Sequence, residues 1–324
     1  MTLSAAWRAW LSQDPALADT GEVTAFTDLE RETALLATTA TKSPRPDLAV
    51  LELSGADALT FVHAQFSGDC RALTVGGTLL TAWCTPQGRV LYLPRLLRSD
   101  TAVYLLLPLA QAEACCKRLQ LFVLRADVTI TDLSANHGVI VVNRPAPADR
   151  LEVGTDLVSA TSADQRQCWL LGPFAALGSA WRALTAPAVG TSAATLAEIR
   201  LGLPPQDAAL AAQFLPQELN LDLVGGVSFN KGCYPGQEIV ARVKFRGSVK
   251  RRLQRYRARG TALPAASTRV LDGNGAAVGT VVASAPANAD TFELLAVVEL
   301  EAGALVLAPA TPLTAAELPY AIAS

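Results

Sequence analysis

The sequence predicts an α+β protein that ends in a small β-barrel or sandwich. Between residues 48 and 134, strand-like and helix-like runs follow one another as strand, helix, strands, helix, strand, the order of an antiparallel sheet with helices on one face. From about residue 249 the pattern changes to short alternating strands separated by Gly, Pro, Asn and Ala, at the near-regular spacing of a barrel or sandwich. A length of 324 residues allows two or three domains, each with its own core.

A polar lead marked by Ser43, Pro44 and Pro46 precedes "LAVLELSG", which reads as a strand broken by Gly55. "ADALTFVHAQFS" then carries apolar residues at helical spacing. "TLLTAWCT", a turn at Pro86, Gln87 and Gly88, "RVLYLPRLL", a turn at Ser99 and Asp100, and "TAVYLLLP" read as an antiparallel meander. "LAQAEACCKRLQLFVL" has helical period, and "ADVTITDLS" returns as a strand. A Pro/Ala/Asp-rich bridge near 144–150 marks a boundary or an exposed connection. Beyond it, "QCWLLG" reads as a strand and "PFAALGSAWRALT" as a helix with Pro173 near its first turn. "AATLAEIRLG" reads as a further helix, stopped by Gly202 ahead of Pro204 and Pro205. "RVLDG", "AVGTVVAS", "FELLAVVEL" and "ALVLA" are the short strands of the C-terminal part.

Apolar residues make up 51% and charged residues 17%, which excludes a disordered polyelectrolyte. A net charge of −2 indicates neither a nucleic-acid binder nor a membrane-surface protein. The N-terminal run lacks a signal-peptide pattern and is interrupted by Asp14 and Glu22. The most apolar stretch, "AVYLLLPLAQAEACC", is too short to span a bilayer. A cytoplasmic protein without membrane association is therefore expected. None of Cys70, Cys84, Cys115, Cys116, Cys168 and Cys233 forms a Cys-x-x-Cys pair, and the only histidines are His63 and His137. Most of these cysteines read as small buried hydrophobes, and no permanently bound metal is expected.

The richest segment is 213–246, "QFLPQELNLDLVGGVSFNKGCYPGQEIVARVKFR". Gly225, Gly226, Gly232 and Gly236 permit positive φ and close backbone approach, and Pro235–Gly236 marks a turn. Among them stand Asn230, Lys231, Cys233, Tyr234, Gln237 and Glu238. "EIVARVKF" suits either a helix or a strand. A lysine two residues from a cysteine favours the thiolate, which is the nucleophile and the metal ligand. The competing reading is a turn in which Lys231 pairs with Glu238 and Cys233 is inert.

"KGCYPGQEIVAR" closely resembles the K-G-C-Y-x-G-Q-E signature of the YgfZ family. "LSGADALTFVHAQFSGDC", "CTPQGRVLYLPRLL", "AEIRLGLP" and "QFLPQELNLDLVGGVSFNKGCY" resemble further family blocks in the same order, so that the likeness spans most of residues 47–283. The resemblance implies a fold like that of the glycine cleavage T-protein, with two packed antiparallel-sheet α+β domains around a central cavity and a C-terminal β-barrel. The corresponding divisions are 1–143, 144–246 with the KGCYPGQE motif, and 247–324.

The resemblance also implies a folate-binding accessory protein that uses a reactive cysteine to support assembly or repair of iron–sulfur clusters in client enzymes, including tRNA-methylthiolating ones. Tetrahydrofolate or a derivative is the implied cofactor, and iron–sulfur enzymes or cluster-assembly proteins are the implied partners. Cys233 takes the reactive role with Lys231 beside it. Gly232, Tyr234, Gly236, Gln237 and Glu238 carry the rest of the signature and are the implied cofactor-binding residues, with Gln237 and Glu238 binding the ligand or orienting the loop. Gln65, Asn220, Glu198 and Arg200 are candidate polar contacts to folate. Some family members place tryptophan where this chain has Leu48 and Ala194. The alternative is a folate-dependent aminomethyltransferase, which has no need of a reactive cysteine. The run 242–259 holds nine of the 27 Lys and Arg residues and no acid. It reads as two strands with a solvated face, or as a rim that meets tRNA, an acidic partner or a folate polyglutamate tail.

Overall fold

The computed structural model describes residues 3–322 except 15, 16, 18–22, 206 and 309. In its N-terminal half, helices α1 (Ala5–Leu11) and α2 (Leu29–Thr38) precede strands β1 (Thr41–Pro44) and β2 (Leu48–Ser54), and α3 (Ala58–Gln65) follows. Strands β3 (Thr78–Leu80), β4 (Trp83–Cys84), β5 (Val90–Tyr92), β6 (Arg95–Arg98) and β7 (Ala102–Pro108) lead to α4 (Ala112–Val123) and β8 (Thr129–Asp132). Next come β9 (His137–Asn143), β10 (Val158–Thr161), β11 (Gln167–Pro173), α5 (Phe174–Ala183), α6 (Thr191–Arg200) and α7 (Gln237–Arg246). Strands β12 (Arg251–Arg259), β13 (Arg269–Asp272), β14 (Ala277–Pro286), β15 (Thr291–Glu299), β16 (Leu305–Leu307) and β17 (Thr311–Ala316) complete the chain.

Two antiparallel sheets form a sandwich. One has the order β3-β6-β7-β2-β8 and the other β1-β9-β11-β10. Alternation along the strands sorts their side chains into layers. Val50, Leu97 and Leu106 of the first sheet meet Val139, Val141, Trp169 and Leu171 of the second. Ala49, Leu51, Leu105 and Leu107 face the other way, against Phe61 and Val62 of α3 and Leu119 of α4. On the far side of the second sheet, Ile140, Val142 and Leu170 pack on Trp7, Trp10, Leu177 and Trp181 of α1 and α5. Strand β9 ends at Asn143 and pairs with both β1 and β11, so hydrogen bonding runs across residues 143 and 144.

The last six strands close a barrel in the order β12-β15-β14-β13-β16-β17, with β17 pairing back onto β12. Tyr256, Val281, Leu294, Ala296 and Val298 fill it. Residues of opposite parity, among them Leu253, Leu295 and Val297, pack outward on Leu196 and Ile199 of α6, on Leu219, Leu221 and Val227, and on Val240 of α7. The motif segment is thus wedged between the barrel and the sandwich.

Local details depart from the sequence reading. The runs "TLLTAWCT" and "RVLYLPRLL" each break in two, giving β3/β4 and β5/β6, with β4 and β5 forming a separate hairpin. Pro94 has no N–H for a ladder, and its carbonyl instead accepts from the Thr81 N–H at 3.1 Å. The first part of the basic run, read as a strand, is the end of α7. Among the described residues no helix is long and apolar enough to cross a membrane.

Candidate functional site

The motif loop is fastened to the sandwich before it reaches Cys233. The Gly226 carbonyl accepts from Ser67 Oγ (2.7 Å) and Thr81 Oγ1 (3.1 Å), and the Ser228 N–H donates to the Ser67 carbonyl (2.9 Å). Lys231 then extends its ammonium away from the loop, donating to the carbonyls of His63, Phe66 (2.5 Å) and Gly68 (2.9 Å). These carbonyls lie at and just beyond the C-terminus of α3, where helix geometry leaves acceptors without partners and the macrodipole favours a cation. Two residues past Lys231 the chain is solvent-exposed at Cys233.

Tyr234 brings the chain back inside. Its ring is buried, with the Lys231 Nζ 5.1 Å from the ring centroid, and its N–H donates to Gln237 Oε1 at 3.2 Å. Gly236 has φ +81° and starts α7, with its Cα packed against the turn at Thr85–Gly88. Glu238 is exposed in the first turn of α7, where a carboxylate suits the helix dipole. Cys233 therefore stands at the tip of a short loop pinned on one side by Lys231 and on the other by Tyr234. It is the one exposed cysteine of the six.

Electrostatics around the anchor follow from burial. Desolvation lowers the Lys231 pKa, and the nearby Cys70 and Asp69 oppose that shift. Burial and the Lys231 ammonium together push the His63 imidazole down, against Asp69, whose Oδ1 lies 3.3 Å from its Nδ1. Cys70, enclosed beneath the loop, is pushed up to about 12 by burial. The Lys231 cation thus serves the helix end, and neither Cys233 nor Glu238 is its hydrogen-bond partner among the described residues.

A second candidate lies where the two sheets meet α6. A narrow cavity of about 70 Å³ is lined by Leu48, Arg45, Arg95, Trp169, Glu198 and the 203–205 segment. Arg45 is bidentate on Asp47 (2.9 and 2.7 Å) and donates to Glu198 Oε1 (3.1 Å). Burial works against the Arg45 charge, but Asp47 and Glu198 outweigh it and raise its pKa. Arg95 is also buried, its guanidinium 4.6 Å from the Trp169 ring centroid, yet among the described residues no hydrogen bond or salt bridge reaches that guanidinium. Desolvation pulls its pKa down to about 10.

Of the predicted folate contacts, Glu198 lines this cavity; Leu48, which stands where some family members place tryptophan, lines it too. Residues 231–238 do not line it. Ala194 is buried in the sheet interface. Gln65 ends α3, at the helix end that Lys231 caps. Asn220, fully buried at φ +58°, donates from Nδ2 to the Leu253 carbonyl (2.8 Å) and to Tyr320 Oη (3.3 Å), tying the motif segment to the barrel. Arg200 pairs with the barrel residue Glu293 at 3.1 Å. The basic run divides in two. Arg251, Arg252, Arg255 and Arg257 are ion-paired to Glu218, Asp222 and Glu293, whereas Arg242, Lys244 and Arg246 are exposed on α7. Phe245 is exposed beside them and meets Phe229 at 5.9 Å. Sequence reasoning missed Arg45, Arg95 and Trp169. The signal for Arg95 was a lone cation inside the apolar run "LYLPRLL", where a charge is buried by the period of its neighbours.

No protein-family model matches the chain. It is 30% identical over 222 residues to the tRNA-modifying protein YgfZ of Colwellia psychrerythraea, covering 64% of this chain and 68% of that protein. It is 32% identical over 224 residues to the tRNA-modifying protein YgfZ of an Enterobacter species, with the same coverage of 64% and 68%. Among solved structures, the glycine cleavage system aminomethyltransferase T from Bartonella henselae superposes with a TM-score of 0.68 at 12% identity, over 89% of this chain and 88% of that one. That likeness establishes the glycine cleavage T-protein-like fold, and the sequence relatives establish the lineage within it: the chain belongs to the YgfZ family.

Proposed function

We propose that this chain is a folate-binding accessory protein of tRNA modification that sustains iron–sulfur enzymes through the Cys233 thiol. The observation that carries the reading is the placement of that thiol, the only exposed one of six, at the tip of a loop pinned by Lys231 and Tyr234. An exposed cysteine sulfur at such a tip is within reach of a macromolecular client as a nucleophile or a ligand. Cys233 contributes one sulfur, and the client carries the cluster. Gly232, Gly236, Gln237 and Glu238 shape the loop and start α7 behind it. The name of the relatives, tRNA-modifying protein YgfZ, supports the link to tRNA modification. Arg242, Lys244 and Arg246 on α7 offer an anionic partner, tRNA or a polyglutamate tail, a cationic surface beside the loop.

The cavity bounded by Glu198 and Trp169 has the chemistry for the pteridine of a folate. Glu198 Oε2 has no hydrogen-bond partner among the described residues and suits the donor edge of a pterin, while the leucine and proline walls suit its ring. When bound, tetrahydrofolate supplies an electron-rich pterin that carries one-carbon units. The aminomethyltransferase alternative has only the shared fold behind it. The deciding experiment complements cells that lack the protein with wild type or Cys233→Ala, then assays cluster-dependent enzymes and methylthiolated tRNA bases. Loss of both readouts with the variant, at normal protein level, is expected. Full restoration by Cys233→Ala would remove the thiol from the mechanism.

A further inference from the structure

The cavity holds two guanidinium groups against one indole, and only one of them is satisfied. Arg45 has Asp47 and Glu198. Arg95, 7% exposed, stacks on Trp169 with no hydrogen bond or salt bridge among the described residues. A buried arginine presents five donors and accepts nothing, so it is stable only opposite acceptors. Across the same space, Glu198 Oε2 has no hydrogen-bond partner among the described residues, and it and the Arg95 nitrogens are open to the cavity rather than sealed in the core. The four charged side chains of the lining, Arg45 and Arg95 against Asp47 and Glu198, balance, which favours a ligand that is uncharged where it meets them. The remaining walls, including Leu48, Leu106 and Pro205, are apolar. These observations describe a flat heterocycle that carries an acceptor edge and a donor edge side by side.

Resting on the folate reading above, we propose that Arg95 selects the 4-oxo form of the pterin. Its guanidinium donates to the ring carbonyl while Glu198 accepts from the adjacent ring N–H and amino group. A 4-amino-4-deoxy pterin turns a donor toward Arg95 and carries no proton on N3 for Glu198, so Arg95 loses its acceptor and Glu198 one of its donors. A site built to donate to a substrate group rejects the analogue lacking that group far more strongly than an apolar pocket rejects a small change of shape.

The test titrates the whole 324-residue chain with tetrahydrofolate and with its 4-amino-4-deoxy counterpart under reducing conditions, following heat of binding and intrinsic tryptophan fluorescence. Wild type is expected to prefer the 4-oxo ligand by about tenfold or more. Arg95→Met is expected to weaken 4-oxo binding by about tenfold and to narrow the gap between the two ligands by a similar factor, leaving only the part of the preference that Glu198 sets through N3–H. The unliganded variant should melt at the wild-type temperature or above it, because the substitution removes an unpaired buried charge. Arg95→Lys keeps the charge but loses the planar fork and should also narrow the preference, which keeps the test decisive if the methionine variant does not fold. Tight 4-oxo binding with the preference intact in both variants overturns the role of Arg95 and leaves the folate reading standing. Wild type that binds neither ligand overturns the folate reading and this inference with it.

Discussion

A Cβ on residue 236 would lie 2.4 Å from the Thr85 carbonyl oxygen and 2.7 Å from the Cα of Gly88, and the backbone there has φ +81°. The motif loop can turn into α7 only with glycine at that position. Gly232 differs: a Cβ there meets nothing within 4 Å. Gly236→Ala should therefore cost roughly 2 kcal/mol or more in a denaturant titration, while Gly232→Ala should change stability by less than about 1 kcal/mol. Equal costs would show that the loop is not held against the 85–88 turn. The signature glycines were legible in the sequence, but their different duties were not, because the neighbour that constrains Gly236 lies about 150 positions earlier in the chain. Lys231 shows the same limit. Proximity along the chain suggested Cys233 as its partner, whereas three carbonyls near the end of α3, at positions 63, 66 and 68, take the ammonium in the fold.

At the scale of elements, that contact joins the motif loop to α3, and two measurements follow from it. Lys231→Met takes the ammonium donor from the carbonyls of His63, Phe66 and Gly68, the last of which keeps the Cys70 N–H, and should cost roughly 1–3 kcal/mol. Amide exchange in residues 228–235 should quicken, and unchanged protection there would argue that Ser67 and Thr81 hold the loop unaided. The second measurement is pH dependence. Burial and the Lys231 ammonium place the folded pKa of His63 below its unfolded value near 6.5. Above pH 7 the imidazole is neutral in both states and adds no slope. As pH falls through 6.5 the unfolded chain takes the proton first, so stability declines until the folded pKa is passed. Unfolding midpoints between pH 7.5 and 5.5 should fall, and less steeply in Lys231→Met, which lacks the repelling cation. Most helices and strands were legible from periodicity, whereas "EIVARVKF" was not. Its helix is settled by Gly236 at its start and by Gln217 Nε2, which donates to the Val240 carbonyl at 2.6 Å, both features of tertiary context.

Across the whole molecule, the barrel is locked to the sandwich by buried charge as well as by the apolar cluster of α6. Glu293 is 1% exposed and gathers Arg200 from α6 with Arg255 and Arg257 from β12. Nearby, Arg252 pairs with Asp222 at 2.6 Å and Asn220 bonds to Leu253 and Tyr320. The sequence showed the barrel through its short alternating strands. It also suggested an anion-facing rim, since a run of arginines without acids looks unpaired when read linearly. The acids that neutralise it come from 218, 222 and 293, each 30 or more positions away from its partner. Glu293→Gln keeps the shape and removes the charge, leaving the arginines to repel one another in a desolvated place. Breaking a buried pair from one side costs about 3–5 kcal/mol, and the exposure of Arg257 places this site at the lower end of that range. The loss should appear as earlier melting of the barrel with faster exchange in α6. Because β12 also holds residues 217–222, which lead directly into the motif loop, a thiol reagent should modify Cys233 in this variant at a changed rate. If the barrel loosens while Cys233 reacts as in wild type, the loop is positioned by α3 alone and the barrel serves only as a scaffold.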